Sequence, residues 1–376
     1  MKKLNKFLIF IPTYNRNDLL NETIGSIINQ KYKNFILYIS DNQSDVPVVD
    51  TIPKEYLDMN FIFIERQNIF YPSGVEHVNS VLPSILDKLE FDFFVNLADD
   101  DCLLDYILLK INFFADDYKY ICTNFITYYQ NQEFIEYPIY EDEYYVLNSY
   151  NQLFYNCTNA GILGMERKAS KLHYESEKQL SINSHVSSIF IHRDILRDSL
   201  SKYNIITVNP FGDVGYGLLA IKSERILFLS KPMMIARIFS NYGMSGSEKG
   251  KRLALKKHHN FYTKDRPIKA ISFANGSYIS YAELLDKLGI PYNKKHPSIS
   301  MLLRHFREIV YDSPRTKVTY GDAKEILYKI FTINNLINLF KFTYKKFFSK
   351  KNDILKKIII TNITDVNSIY KIIKKD

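Results

Sequence analysis

The chain has 376 residues, 46% of them hydrophobic, which is enough for one large α/β domain and a smaller appended one, with a buried core in no doubt. Its three cysteines, Cys102, Cys122 and Cys157, are odd in number and lack CxxC spacing, which argues against a disulfide framework and against a cysteine zinc site. The net charge of +8 is unevenly placed: residues 1–250 carry 23 Lys+Arg against 31 Asp+Glu, net −8, and residues 251–376 carry 26 against 10, net +16. A basic tail on an acidic body points away from nucleic acid and toward docking on an anionic surface.

Residues 7–11 form a short apolar run, and Pro12 is expected to end that strand because it cannot donate to a central ladder. No secretory pattern precedes the run, and no apolar stretch approaches the ~18 residues of a spanning helix, so a reducing, cytoplasmic setting is expected. Leu20, Ile24, Ile27 and Ile28 recur at helical spacing, with Asn17 or Asp18 as the cap. Residues 35–39 read as a second strand ending at Ser40 and Asp41, and residues 61–64 as a third. A helix is expected over residues 78–89, and a fourth strand then runs into Asp99. This alternation predicts a mostly parallel sheet with helices on both faces. In such sheets ligands bind beyond the carboxyl ends of the strands, which would gather Thr13, Asp41 and residues 99–101 on one rim. Beyond about residue 115 the chain is richer in Tyr and Asn, and loops with short strands are expected. A boundary falls where residues 241–265 become rich in Gly, Ser and Lys. The expected division is therefore a catalytic domain over 1–250, with halves 1–115 and 116–250, and a basic, mainly helical region over 251–376.

Asp99, Asp100 and Asp101 are the most informative feature. Two such carboxylates about 4 Å apart cost each other roughly 4 kcal/mol at an effective dielectric near 20. A hard divalent cation removes that cost, and Mg²⁺ or Mn²⁺ held by one or two carboxylates completes its shell with phosphates and water. A solvated acidic turn capping the next helix is the competing account.

Pro12-Thr13-Tyr14-Asn15-Arg16, then Ser40-Asp41-Asn42-Gln43-Ser44-Asp45, then Asn96-Leu97-Ala98-Asp99-Asp100-Asp101, together resemble the family 2 glycosyltransferases with the GT-A fold. The order and spacing of the three carry the resemblance, which covers residues 5–115 and, more loosely, 150–245. It implies a Rossmann-like sheet and a nucleoside-diphosphate sugar donor. It further implies that Pro12, Thr13, Tyr14 and Arg16 lie near base and ribose, and that Asp41 accepts a hydrogen bond from the base. Asp99 or Asp100 would bond the ribose, and Asp101, with Asp99, would bind Mn²⁺ or Mg²⁺. Which adjacent carboxylate does which is not legible, and a turn-forming Asp41 in Asp-Asn is the lesser alternative.

Inverting transfer needs a base for the acceptor hydroxyl, and Asp213 lies about where this family places it, although Gly212 replaces the commoner acidic neighbour and Asp213 could simply cap a helix. Arg237 resembles the Arg of a segment that can lie over the diphosphate, with Gly243 in a lid-like loop; a surface arginine in a plain loop is the competing account. Asn159 and His185 are candidates for the acceptor side. The implied activity is transfer of a sugar to a hydroxyl of a surface glycan or lipid-linked oligosaccharide. Ile333, Leu336, Ile337, Phe340, Tyr344, Phe347 and Phe348 alternate with Lys341, Lys345 and Lys346 at helical spacing, the pattern of a helix lying on an anionic membrane face or packed on the protein. The rival readings are a non-catalytic glycan-binding scaffold and a sugar-nucleotide pyrophosphorylase; the latter lacks its expected Gly-rich basic loop here. The Gly246–Arg252 stretch is one residue short of a phosphate loop, and the histidines lack metal-ligand spacing.

Overall fold

A computed structural model describes residues 3–71, 74–147, 185–203, 216, 219, 223, 225–238 and 357–373. All of them belong to one of the two compact units into which the chain divides; the other, Thr158–Leu180 with Ser240–Ile354, lies outside the described residues, and the amphipathic stretch 333–348 lies there with it.

The first unit is α/β, as expected. Strand β1 (Phe7–Thr13) is central and pairs in parallel with β2 (Phe35–Asp41) on one side and β4 (Phe93–Asn96) on the other, and β2 pairs in parallel with β3 (Ile62–Arg66). Alternation puts Phe7, Ile9 and Ile11 on one face, where Leu20, Ile24 and Ile27 of α1 (Asn17–Ile28) are wholly buried with them. Each such side chain contributes roughly 1.5–3 kcal/mol by leaving water. Ser40, on the opposite face of β2, bonds His77 of α3 (Gly74–Lys88), so helices cover both faces. A short helix, α2 (Lys54–Leu57), precedes β3.

Strand β1 does not end at Pro12 but continues to Thr13, with Pro12 in register with Ser40. Phe10 turns its carbonyl toward β4, where it accepts from the Leu97 N–H. Pro12, two residues on, faces the same side, past the point where β4 has ended at Asn96. Its missing N–H therefore has no ladder to serve. The turn that follows places Asn15 at φ 53°, a left-handed conformation that asparagine tolerates. Helix α1 is capped at Arg16, without a side-chain cap from Asn17 or Asp18.

Beyond residue 115, the described residues form longer strands than the composition suggested. Strand β5 (Cys102–Leu103) and α4 (Ile107–Phe114) lead to β6 (Tyr120–Tyr129), then β7 (Phe134–Pro138), β8 (Tyr144–Leu147), β9 (Ile189–His192), α5 (Arg193–Tyr203) and the long β10 (Ile226–Ile238). Runs of Tyr, Phe, Ile and Thr fit a pleated, half-buried surface. Strands β6 and β10 are parallel, while β9 joins β4 to β6 by antiparallel pairs. Among the described strands four pairings are parallel and six antiparallel, so the sheet is mixed rather than mostly parallel.

The chain's end returns to this sheet. Strand β11 (Lys357–Thr361) pairs antiparallel with β7, and α6 (Val366–Ile373) buries Ile369 against Cys102, Leu104, Ile126 and Ile235. Residues 357–373, assigned from sequence to a separate basic region, are part of the first unit, because their apolar face completes a cluster the sheet leaves open. Among the described residues no helix is long and apolar enough to cross a membrane.

Candidate active site

The carboxyl ends of β1, β2 and β4 meet as expected, and the acidic turn after β4 is held from several directions. Thr13, at the end of β1, donates its hydroxyl to Asp99 Oδ2 at 2.8 Å. Arg16 donates from one Nη1 to Asp99 Oδ1 at 2.9 Å and to Asp100 Oδ2 at 3.0 Å. The three carboxylates differ in outlook: side-chain exposure is 7% for Asp99, 15% for Asp100 and 2% for Asp101. Burial pushes the pKa of all three up; Arg16 opposes the shift at Asp99, repulsion from Asp101 adds to it at Asp100, and His185 with Ser187 opposes it at Asp101.

Asp101 turns inward. Its Oδ2 accepts from Ser187 Oγ and lies 3.4 Å from His185 Nδ1, and its Oδ1 accepts the Arg237 N–H at 3.2 Å. Ser187 Oγ also accepts the Ala98 N–H at 3.0 Å, so one hydroxyl ties both ends of the turn. His185, expected on the acceptor side, is brought against Asp101, with its ring 5.4 Å from that of Phe125. Asp101 was expected to bind a cation, but it is enclosed and engaged at both oxygens. Asp100 is the carboxylate that faces outward.

Arg237 requires a second correction. It was expected over a diphosphate, yet its side chain is 1% exposed and reaches inward from β10 to α1. There the guanidinium donates to the Asp100 carbonyl, the Glu22 carboxylate and the Leu19 carbonyl. An arginine with these partners clamps the acidic turn rather than covering a ligand.

Asp41 is buried at the end of β2, and its carboxylate accepts from Ser44 N–H at 2.8 Å, Val48 N–H at 3.2 Å and Arg66 Nη1 at 3.2 Å. Of roughly four lone-pair sites, three are taken. Arg66, 43% exposed beside it, was not singled out from the sequence, although it ends β3 in register with Asp41 and the strand-end rule would have found it. Tyr14 is half-exposed, with its ring 5.2 Å from the equally exposed Phe70. Asn15 bonds Ser44 and Asp45, tying the β1 and β2 turns together. Asp213 and Asn159 lie outside the described residues.

Behind the rim, His77 Nε2 and Ser40 Oγ are 2.7 Å apart, Gln67 donates to the same hydroxyl, and Tyr71 stacks on the imidazole. Burial lowers the His77 pKa to about 4. An unfolded histidine takes its proton near 6.5, so between those values the unfolded chain binds more protons. Stability is therefore full above 6.5 and lost as pH falls toward 4, by at most roughly 3 kcal/mol. His77→Gln is expected to flatten this part of the curve in urea unfolding at pH 4.5 and 7. A slope as steep as the wild type's would place the acid sensitivity elsewhere.

Among the described residues no three His, Cys, Asp or Glu side chains converge as a metal cage. A hard cation that takes one or two carboxylates and fills its shell with phosphate and water needs no such cage, and Asp100, the most exposed of the three, fits that donor set, whereas both oxygens of Asp99, like those of Asp101, are already engaged.

No protein-family model and no curated protein sequence matches the chain. Among solved structures it is similar to residues 1–349 of S. aureus TarS in complex with UDP-GlcNAc, at 12% identity over 86% of this chain and 79% of that one, with a TM-score of 0.47. It is also similar to a mannosyltransferase of Pyrobaculum calidifontis in complex with GDP-Man and Mn²⁺, at 10% identity over 92% and 88%, with a TM-score of 0.40. At TM-scores below 0.5 these likenesses carry no argument about activity, which rests on the chain's own residues.

Proposed function

We propose that this protein is a GT-A-type inverting glycosyltransferase that moves a sugar from a nucleoside-diphosphate donor to a hydroxyl of a glycan or lipid-linked oligosaccharide. The observation that carries the reading is the gathering of Asp99 and Asp100 with Thr13 and Arg16 at the carboxyl ends of the parallel strands β1 and β4. Desolvated carboxylates held at a strand-end crevice are poorly explained as a solvated cap. Mn²⁺ or Mg²⁺ would be held by Asp100 together with donor phosphate and water, and the chemistry it supplies when bound is neutralisation of the departing diphosphate's charge.

The chain's own residues do the rest. Tyr14 and Phe70 offer aromatic faces for a base to stack on, and the Asp41–Arg66 pair presents guanidinium donors at the end of β2. Arg16, partly exposed and bonded to Asp99 and Asp100, would offer its remaining guanidinium donors to phosphate oxygens. Asp213 is the proposed base: it takes the acceptor hydroxyl's proton as that oxygen attacks the anomeric carbon opposite the leaving diphosphate, help worth roughly 10²–10⁴-fold.

The test is a thermal-shift panel of UDP, CDP, GDP and TDP with and without Mn²⁺. One nucleotide is expected to raise the midpoint only when Mn²⁺ is present; a ligand at 100 times its Kd stabilises the native state by about 2.7 kcal/mol. No shift with any of the four rejects the reading.

A further inference from the structure

We infer that Tyr370, near the far end of the chain, is a positioning residue for the acidic turn. Three neighbouring carboxylates that burial and mutual repulsion disfavour will not stay in one arrangement by themselves, so the backbone around them has to be fixed from outside. Directly after Asp101, strand β5 supplies that fixed point. The Leu103 N–H is accepted by Ser26 Oγ of α1 at 3.1 Å, the Leu104 N–H by the Met233 carbonyl of β10 at 3.0 Å, and the Leu104 carbonyl accepts from Gln30 Nε2 at 2.8 Å. The fourth group, the Leu103 carbonyl, accepts from Tyr370 Oη at 2.8 Å, across 267 positions of sequence.

Leu103 is wholly buried, so without that hydroxyl its carbonyl loses a partner in a place that offers little water. Tyr370 is carried there by α6, whose Ile369 is buried in the same cluster as Cys102, while Tyr128 Oη and the Glu133 carbonyl hold Ile363 just before the helix. Burial keeps the Tyr370 hydroxyl protonated, and therefore a donor, through the ordinary pH range. The far end of the chain thus sets the backbone two residues beyond Asp101. The consequence for ligand binding rests on the proposed function: a turn that samples displaced positions binds donor and cation with an affinity reduced by the fraction of time it is displaced.

The test uses the full-length protein and Tyr370→Phe, which deletes one hydroxyl. Hydrogen exchange of the peptides covering residues 99–105 is read together with the affinity for Mn²⁺ plus whichever of UDP, CDP, GDP or TDP the wild type binds. Tyr370→Phe is expected to speed exchange in that segment and weaken affinity about threefold to tenfold, at a temperature where the variant is fully folded. Tyr129→Phe removes a tyrosine hydroxyl bond, to Glu136, that touches neither the C-terminal segment nor residues 99–105, and is expected to leave both readouts at wild-type values. Unchanged exchange at 99–105 in Tyr370→Phe overturns the inference, as does faster exchange with unchanged affinity or an equal effect of Tyr129→Phe. Faster exchange in a protein whose wild type binds none of the nucleotides rejects the proposed function and leaves the positioning role standing.

Discussion

Asp100→Asn is expected to abolish donor turnover with the fold intact, whereas Asp101→Asn is expected to weaken the fold first. Asp100 is the outward carboxylate of the three, and asparagine keeps its shape while removing the charge that a cation and a diphosphate would meet. Loss of one preorganised electrostatic group at a reacting centre typically costs about 10²–10³-fold, and loss of a cation's principal ligand at least as much. Stability should hold or rise, because the substitution removes repulsion from Asp101 and because Arg16 keeps its bond to Asp99. At position 101 an amide can accept at only one of the two places where the carboxylate accepts, from Ser187 Oγ and from the Arg237 N–H. The loss of charge-assisted bonds at a buried site is worth about 1.5–3 kcal/mol. Sugar-nucleotide hydrolysis with Mn²⁺, measured beside the urea midpoint, separates the two. If Asp101→Asn keeps its midpoint and loses hydrolysis while Asp100→Asn keeps hydrolysis, the outward and inward roles are reversed.

The fold of residues 1–115 was largely legible because its signals are local. Apolar runs of four to seven residues are bounded by polar ones, the helical spacing of Leu20, Ile24 and Ile27 lies between them, and the three adjacent aspartates directly follow one such run. What the sequence hid depends on partners far along the chain. Pro12 reads as a strand end until one sees that β4 has already stopped beside it. Asp41 reads as a free acceptor until Ser44, Val48 and Arg66 are found to occupy it. The isoleucine-rich run 357–361 reads as part of a basic tail, since its pairing with β7 lies more than 200 positions away and leaves no local trace. Asp213 and Asn159 lie outside the described residues, and His185 packs against Asp101.

Arg237 shows the same effect most sharply, and Arg237→Ala is expected to cost stability on the order of 2–4 kcal/mol, from lost donors to buried carbonyls and the cavity left behind. From sequence, an arginine in a segment ahead of Gly243 reads as a phosphate contact. In the structure its guanidinium fills the space between β10 and α1, and alanine would leave the carbonyls of Asp100 and Leu19 without that donor and a cavity behind them. The Glu22 ion pair adds little, because Glu22 is 58% exposed and returns to water at small cost. The backbone N–H of Arg237 still reaches Asp101 in the variant, so the loss belongs to the side chain alone. Arg237→Lys, with one ammonium in place of a planar fork, should fall between the wild type and alanine. Urea unfolding decides: an unshifted midpoint in Arg237→Ala, with the only change a raised donor KM, would return this residue to a lid over the diphosphate.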